Sequence, residues 1–450
     1  MKLAVVVQRY GADISGGAEL HARYVAEHLS RHLEVEVLTT CATDYISWRN
    51  ALRPGTDVVN GVTVLRFPVL RERSPVDFGR RSNLVFERRH SIRDELSWLD
   101  SEGPTTPALI AHLRRTASTY DFILFFSYRY YHAYHGIRAA PSRAVLVPTA
   151  ERDPALGLAI SARTLRSVRA LMYNSHEERA LIQAVAHNEH VPGVVVGVGS
   201  QVRDDASAAR FRKRTGISGR FVLYVGRIDE NKGCREMFDY FNRYAAEASP
   251  RMQLVLAGTP VMEIPSHPRI HHLGFVTDEE KYDALTAADA LLMPSYYESL
   301  SMVTLEAWAM RLPVLVNGRC DVLRGQVIRA NAGLYYESYD EFGAALHLLE
   351  SERGLRRALA TNGRAYFERH YTWDIVEGKY LAMLERLERE NRDGGLPRAE
   401  REPGWLHRRR RVQAPAREVV DRLPTGPAAK TWGAGGPEPG RHDAVTRDRR

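Results

Sequence analysis

The sequence predicts an α/β protein of two doubly wound, Rossmann-like domains, each a parallel sheet covered by helices on both faces. Three observations predict it. Short apolar runs of four or five residues recur along the chain, segments of helical periodicity separate them, and the pattern pauses near residue 195 and restarts near 220. Runs that are apolar throughout suit strands buried on both faces, and strand–helix alternation suits parallel pairing through crossovers.

In chain order, Leu3–Val7, Val35–Leu38, Val62–Phe67, Phe122–Phe126 and Ala144–Val147 read as strands of a first sheet. Residues 17–31 read as a helix with Ala18, Ala22, Val25 and Leu29 on one face, and the charge-rich stretch 72–118 also reads as helical. Leu171–Tyr173 followed by Asn174-Ser175 is a strand leading into an N-capped helix. Beyond Gly193, Gly197 and Gly199, a second set follows: Phe221–Val225, Gln253–Ala257, Ala290–Met293 and Pro313–Val316. The expected organisation is a first domain over 1–195, a second over 196–370, a terminal helical segment over 371–391 and a basic tail over 392–450.

The net charge of +8 is unevenly placed. Residues 392–450 carry 14 Lys/Arg against 8 Asp/Glu, so the body of the chain is close to neutral. The basic pI therefore gives little support to nucleic-acid binding, which needs cations interleaved with aromatics in the folded part. The tail, with Gly394-Gly395, Pro397, Arg408–Arg411 and the Gly/Pro-rich 433–440, has no periodicity and reads as disordered. Its arginine run is either a solvated segment or a peripheral contact for anionic lipid. Three widely separated cysteines, Cys41, Cys234 and Cys320, suit no zinc or disulfide framework and fit a reducing compartment. The first apolar run is too short for a signal peptide, and no run approaches the ~18 apolar residues of a membrane span. A cytoplasmic protein is expected, with the inner membrane face as a candidate peripheral location.

The chemistry is expected where strands lead into helices. Gly16-Gly17-Ala18-Glu19 opens the first helix, where free N–H groups and the positive dipole end suit an anion. A richer element follows Phe221–Val225: Gly226-Arg227-Ile228-Asp229-Glu230-Asn231-Lys232-Gly233. It can place a planar guanidinium and a compact ammonium on one pyrophosphate. Neither loop fits the dinucleotide G-x-G-x-x-G or the P-loop G-x-x-x-x-G-K-[ST] pattern, so hydride transfer and P-loop hydrolysis are disfavoured. The third element, Pro294 to Ala307, puts Glu298 in a strand–helix loop and Glu306 about two turns into an apolar helix. A carboxylate in such a helix needs partners, and vicinal hydroxyls suit it as they suit the acidic residue of ribose sites. Backbone N–H groups of Leu300, Ser301 and Met302 at the helix start can hold a phosphate. The competing reading is a helix-capping Glu298 and a Glu306 paired with a basic side chain.

On Glu298 and Glu306 (E-x7-E), on Gly226–Gly233 and on Gly16–Glu19, the sequence resembles retaining glycosyltransferase family 4, as far as about Tyr380. The resemblance implies a GT-B fold, two Rossmann-like domains facing a cleft, and transfer of a hexose from a UDP- or GDP-type sugar to a saccharide, lipid or small-molecule hydroxyl. It implies neither metal nor cofactor, in keeping with the lack of a D-x-D triplet. Arg227 and Lys232 would hold the diphosphate, Glu298 the transferred sugar and Glu306 the ribose. Phe275 and Val276 after Gly274 would lie along the base, Gly226 would shape the phosphate loop, and Gly17 would approach the donor from the opposite lip. The 371–391 segment, with Trp373, would cross back to the first domain. Many members carry a His after the strand equivalent to Phe122–Phe126. Here Ser127-Tyr128-Arg129 stands there, with His132 and His135 later, either of them a surface residue or a catalytic one. Ser127, Tyr128, Glu151 and Asp153 are the acceptor-side candidates. A non-catalytic nucleotide- or partner-binding protein and a sugar-nucleotide epimerase are the alternatives.

Overall fold

The first apolar run forms β1 (Lys2–Val6), and Leu3 to Val6 have no exposed surface because helices cover both faces of the sheet. The computed structural model describes residues 1–14, 16–200, 202–247, 251–397 and 412–428. After β1 come α1 (Gly17–Leu29), β2 (Glu34–Thr40), β3 (Gly55–Val59), β4 (Val62–Phe67), α2 (Pro75–Glu87), α3 (Ile92–Glu102), α4 (Pro107–Thr116), β5 (Phe122–Phe126), α5 (Tyr131–Ala139), β6 (Ala144–Val147), α6 (Ala159–Arg166), β7 (Ala170–Tyr173), α7 (His176–Ala186) and β8 (Gly193–Val195). These strands make one sheet in the order β3-β4-β2-β1-β5-β6-β7-β8, parallel except for the β3–β4 pair.

The second set runs α8 (Ala208–Thr215), β9 (Phe221–Val225), α9 (Cys234–Glu247), β10 (Gln253–Ala257), β11 (Ile270–His272), α10 (Asp278–Ala287), β12 (Ala290–Met293), α11 (Met302–Ala309), β13 (Val314–Asn317), α12 (Asp321–Ala330), β14 (Gly333–Tyr336), α13 (Tyr339–Ser351) and α14 (Arg353–His370). Its sheet, β11-β10-β9-β12-β13-β14, is parallel throughout. In both sheets the chain reverses its direction of winding beside the first strand, β1 or β9. Ligands of open α/β sheets bind outside the carboxyl ends of strands at such a point, and there lie the Gly16-Gly17 and Gly226–Gly233 loops.

Four strands escape the periodicity reading. β3 is exposed and not apolar, but Asn60 (φ 49°) and Gly61 (φ 82°) form a two-residue hairpin turn, a signal that sequence could have supplied. β8 and β11 have three residues each, and β14 buries only Tyr336, so the segments are too short or too exposed to stand out as strands.

The last long helix, α15 (Trp373–Gly394), returns to the first sheet's side and packs along α1. Trp373 stacks on His28 at 3.8 Å between ring centroids, Glu377 accepts hydrogen bonds from His28 and His32, and Arg169 pairs with Glu390. The helix extends to Gly394, past the expected start of the tail.

The expectation of disorder across 392–450 needs correction at residues 412–428. Gln413 forms a β-bridge with His90, α16 (Ala416–Asp421) buries Ala416 and Val420, and Arg417 pairs with Glu87. Arg152 donates to the carbonyls of Val420 and Leu423, both at 3.2 Å, and to that of Pro424. The segment then crosses to the second domain, where the Gly426 N–H donates to Asp321 Oδ1 at 2.7 Å. Arg408–Arg411 and the rest of the tail lie outside the described residues.

Ending the chain at residue 411 should thus destabilise it. Losing the burial of Ala416 and Val420 and the three carbonyl partners of Arg152 should cost about 2–4 kcal/mol, a few degrees in the thermal midpoint. Urea and thermal unfolding of the truncated and full chains check this; equal stabilities would contradict the packing described.

Candidate active site

The first loop is built around one ion pair. Arg9, just beyond β1, donates to Glu19 of α1 at 2.8 Å and to the Thr43 carbonyl at 2.8 Å. A Cβ on Gly16 would lie 2.2 Å from a Glu19 oxygen, so only glycine lets this pair close over the helix start. A Cβ on Gly17 would meet nothing within 4 Å. Gly17 therefore presents bare backbone to open space at the first turn of α1.

In the second domain Lys232 and Glu298, from the loops after β9 and β12, form an ion pair of 2.8 Å. Gly233 makes the approach feasible: its φ is +74°, and a Cβ there would sit 2.1 Å from the Pro294 carbonyl oxygen. Burial disfavours the charge on Lys232, but Glu298 and Glu151 outweigh it and raise its pKa. Arg227 pairs with Asp229 at 2.7 Å and donates to the Tyr45 hydroxyl of the first domain at 2.7 Å. Gly226, at φ 149°, donates its N–H to the Ala257 carbonyl.

Glu306 is the fifth residue of α11, one turn in rather than the expected two, because the helix begins at Met302. It is buried, and it is paired: Lys281 of α10 lies 2.8 Å away. Burial pushes the Glu306 carboxyl up and Lys281 draws it back. For Lys281, burial opposes the charge, yet Glu306 prevails and raises the pKa. Ser301 caps α11 by accepting the Thr304 N–H, Leu300 is buried behind it, and Met302 begins the helix. Phe275 is 74% exposed and Val276 partly buried beyond Gly274, before the Thr277–Glu280 capping box of α10.

The first domain contributes the strand ends of β5 and β6. Ser127 (φ 64°) and Thr149 (φ 49°) both occupy the left-handed region, and their hydroxyls meet at 2.7 Å. Left-handed non-glycine residues of this kind, one β-branched, cluster at functional sites. Tyr128 is buried with its hydroxyl 3.5 Å from Asp153. Asp153 itself takes the Ala155 N–H and pairs with Arg129, which also binds Glu102. Asp153 thus holds the loop, and Glu151 is left facing the cleft. Desolvation first, then the neighbouring Glu298, pushes the Glu151 carboxyl up to about 7, while Lys232 works against the rise. Behind it Glu178 accepts the N–H groups of Ala150 and Asn174, and burial raises it to about 8.

Of the two histidines that follow β5, His135 is partly buried on α5 and His132 packs against the β5 end. His132 is wholly buried, not a surface residue, with Nε2 on the Phe126 carbonyl oxygen and its pKa lowered by burial to about 4. The structure brings Lys232, Glu298 and Glu151 together, and sets Arg227, Glu306 and Gly17 around the same cleft. Sequence reasoning missed Lys281 and Tyr45, for which no local spacing gives a signal, and Asp229, which lies two residues from Arg227 in the same loop.

Residues 207–366 match the family model described as glycosyl transferases group 1. The chain is similar to mannosylfructose-phosphate synthase of Agrobacterium fabrum, 25% identical over 40% of this chain and 44% of that protein. It is also similar to D-inositol 3-phosphate glycosyltransferase of Acidothermus cellulolyticus, 26% identical over 82% and 85%. For several relatives, the first among them, the chain spans less than half of the relative's length. Among solved structures, sucrose-phosphate synthase from Thermosynechococcus elongatus superposes with a TM-score of 0.64 at 17% identity, covering 86% of this chain and 99% of that one. Anabaena HepE in complex with UDP-glucose gives 0.62 at 15%, covering 86% and 100%.

The raised pKa of Glu151 has a consequence for stability. Its carboxyl ionises near 4.5 when unfolded and near 7 when folded, so folding stability falls as pH rises through that window and stays lower above it. Glu151→Gln should remove this loss. The stability difference between variant and wild type should grow by on the order of 2 kcal/mol from pH 5 to pH 8. Glu151 also helps raise Glu178, so the variant loses part of the Glu178 slope as well, and urea unfolding of the pair at each pH reads the two together. A flat difference would contradict its placement.

Proposed function

We propose that the chain is a group 1, family 4-type glycosyltransferase of GT-B fold that carries out a metal-independent, retaining transfer of a hexose from a nucleoside diphosphate sugar to an acceptor hydroxyl. The observation that carries the reading is the Lys232–Glu298 pair, at the carboxyl ends of β9 and β12 with Arg227 beside it. Relatives named for sugar transfer, and the UDP-glucose complex of a protein of the same fold, support it.

Each charge assigned to the donor has a carboxylate or ammonium partner: Lys232 with Glu298, Arg227 with Asp229, Glu306 with Lys281. Donor binding is then an exchange of partners. The diphosphate takes Lys232 and Arg227, the transferred sugar's hydroxyls take Glu298, and ribose hydroxyls take Glu306. The N–H groups of Leu300, Ser301 and Met302 add the positive end of α11 to the phosphate. Phe275 and Val276 lie along the base, and Gly17 faces the donor from the other lip. As the anomeric C–O bond to the diphosphate breaks, charge grows on the leaving phosphate oxygen, and the fixed cations stabilise it in a partly dry cleft. The acceptor oxygen bonds to the anomeric carbon on the face being vacated, and its proton passes to that phosphate oxygen. Glu151, neutral or charged near pH 7 and next to Glu298, orients the acceptor from the first domain.

Two measurements test this. A thermal-shift panel of UDP, GDP, ADP and CMP in excess EDTA should single out one nucleoside diphosphate, with about 2.7 kcal/mol of added stability at 100 times its Kd. No shift with any of them, or with their sugar conjugates, would turn the reading toward a partner-binding protein. Arg227→Ala should depress turnover while leaving unfolding unchanged, and Glu306→Gln should weaken nucleotide binding by roughly 10- to 100-fold, the worth of a hydrogen bond to a charged group. Wild-type turnover in Arg227→Ala would remove the mechanism.

A further inference from the structure

Beyond Glu298 the cleft continues into a hollow of about 340 Å³, at the lower end of the ~300–1,000 Å³ typical of small-ligand sites. Leu181 and Ala184 of α7 line one side and Val322 of α12 another. Pro424 and Pro427 of the C-terminal segment close it, and Glu298 is part of its lining.

The charged groups around this hollow are already engaged by the protein. Arg152 binds Asp321 at 3.3 Å and three carbonyl oxygens of residues 420–424. Glu177 pairs with Arg329 at 2.8 Å and accepts the Ala428 N–H at 3.2 Å. Asp321 accepts the Gly426 N–H, and Arg319 pairs with Glu236. Backbone groups of 420–428 thus neutralise much of the rim, and the surface left for a guest is mainly apolar. A polar or ionic ligand would find few free partners, whereas an apolar one would gain by leaving water.

We propose that this hollow is an acceptor subsite for an apolar group, alkyl, prenyl or aryl, carried next to the reacting hydroxyl, and that residues 424–428 are its specificity-determining wall. The proposal rests on the reading of Glu298 as the residue that touches the transferred sugar, since that places the acceptor at the mouth of the hollow. The chain beyond α15 then has a purpose in recognition: it brings a wall across from the first domain, anchored by α16 at one end and by Asp321 and Glu177 at the other.

Methyl, butyl and hexyl β-D-glucopyranosides, titrated calorimetrically into the full chain with and without UDP, test it. Affinity should rise with alkyl length, up to about fourfold per buried methylene, the equivalent of ~0.8 kcal/mol. The dependence should vanish in a chain ending at Leu423, which keeps α16, and in Ala184→Phe, which fills the hollow. Nucleoside diphosphate thermal shifts of all three proteins should stay equal, which shows that both variants are folded. No dependence on alkyl length in the full chain, or the same dependence in both variants, would overturn the proposal. Loss of every nucleotide shift in the wild type would instead sink the donor reading, while the alkyl series still reports on the hollow.

Discussion

One ammonium and two carboxylates share a partly dry corner of the cleft, and the arrangement of the rest follows from keeping them there. Lys232 holds Glu298 at 2.8 Å, and Glu151 approaches from the other domain. Burial above all, and then the second carboxylate beside the one cation, push the Glu151 carboxyl up to about 7. A left-handed glycine packed against Pro294 brings the Lys232 loop to the Glu298 loop, and the parallel sheet fixes both loops at adjacent strand ends. An incoming diphosphate would relieve the crowding by drawing the cations to itself. On the proposed reading these pairs would act as stand-ins for the donor, at some cost in affinity because each would have to be broken.

The corner exists only while the two domains keep their relation, and three devices hold it. α15 lies along α1 through Trp373, Glu377 and Tyr380. Two ion pairs cross the interface, Arg152–Asp321 and Glu177–Arg329. The segment 412–428 is threaded through both, using backbone carbonyls and N–H groups. Buried pairs of this kind add little net stability, but breaking one partner leaves an uncompensated charge, so they fix geometry more than they add free energy. Among the described residues no helix is long and apolar enough to cross a membrane.

What was legible in the sequence was local. Strand ends followed by Gly226–Gly233 and by Glu298 and Glu306 were readable because each motif lies within one strand–helix turn. Partners that depend on folding were not. Lys281 meets Glu306 from another helix, and Tyr45 meets Arg227 from another domain. The competing reading of Glu306, paired with a basic side chain, is the one the structure bears out, but its partner could not be named from the sequence. The C-terminal strap was the largest omission. Its composition is that of a tail, and its attachment runs through main-chain atoms to Arg152, which leaves no side-chain pattern to read. The exposed β3 was missed for want of apolar residues, although Asn60-Gly61 marked its turn.

The central claim is that the donor displaces the resting ion pairs. A crystal structure of the full chain with a bound nucleoside diphosphate sugar, grown with EDTA, tests it most directly. The account predicts the diphosphate between Arg227 and Lys232, Lys232 parted from Glu298, and Glu306 on the ribose. A nucleotide bound elsewhere, or bound in the cleft with the Lys232–Glu298 pair intact, would contradict it.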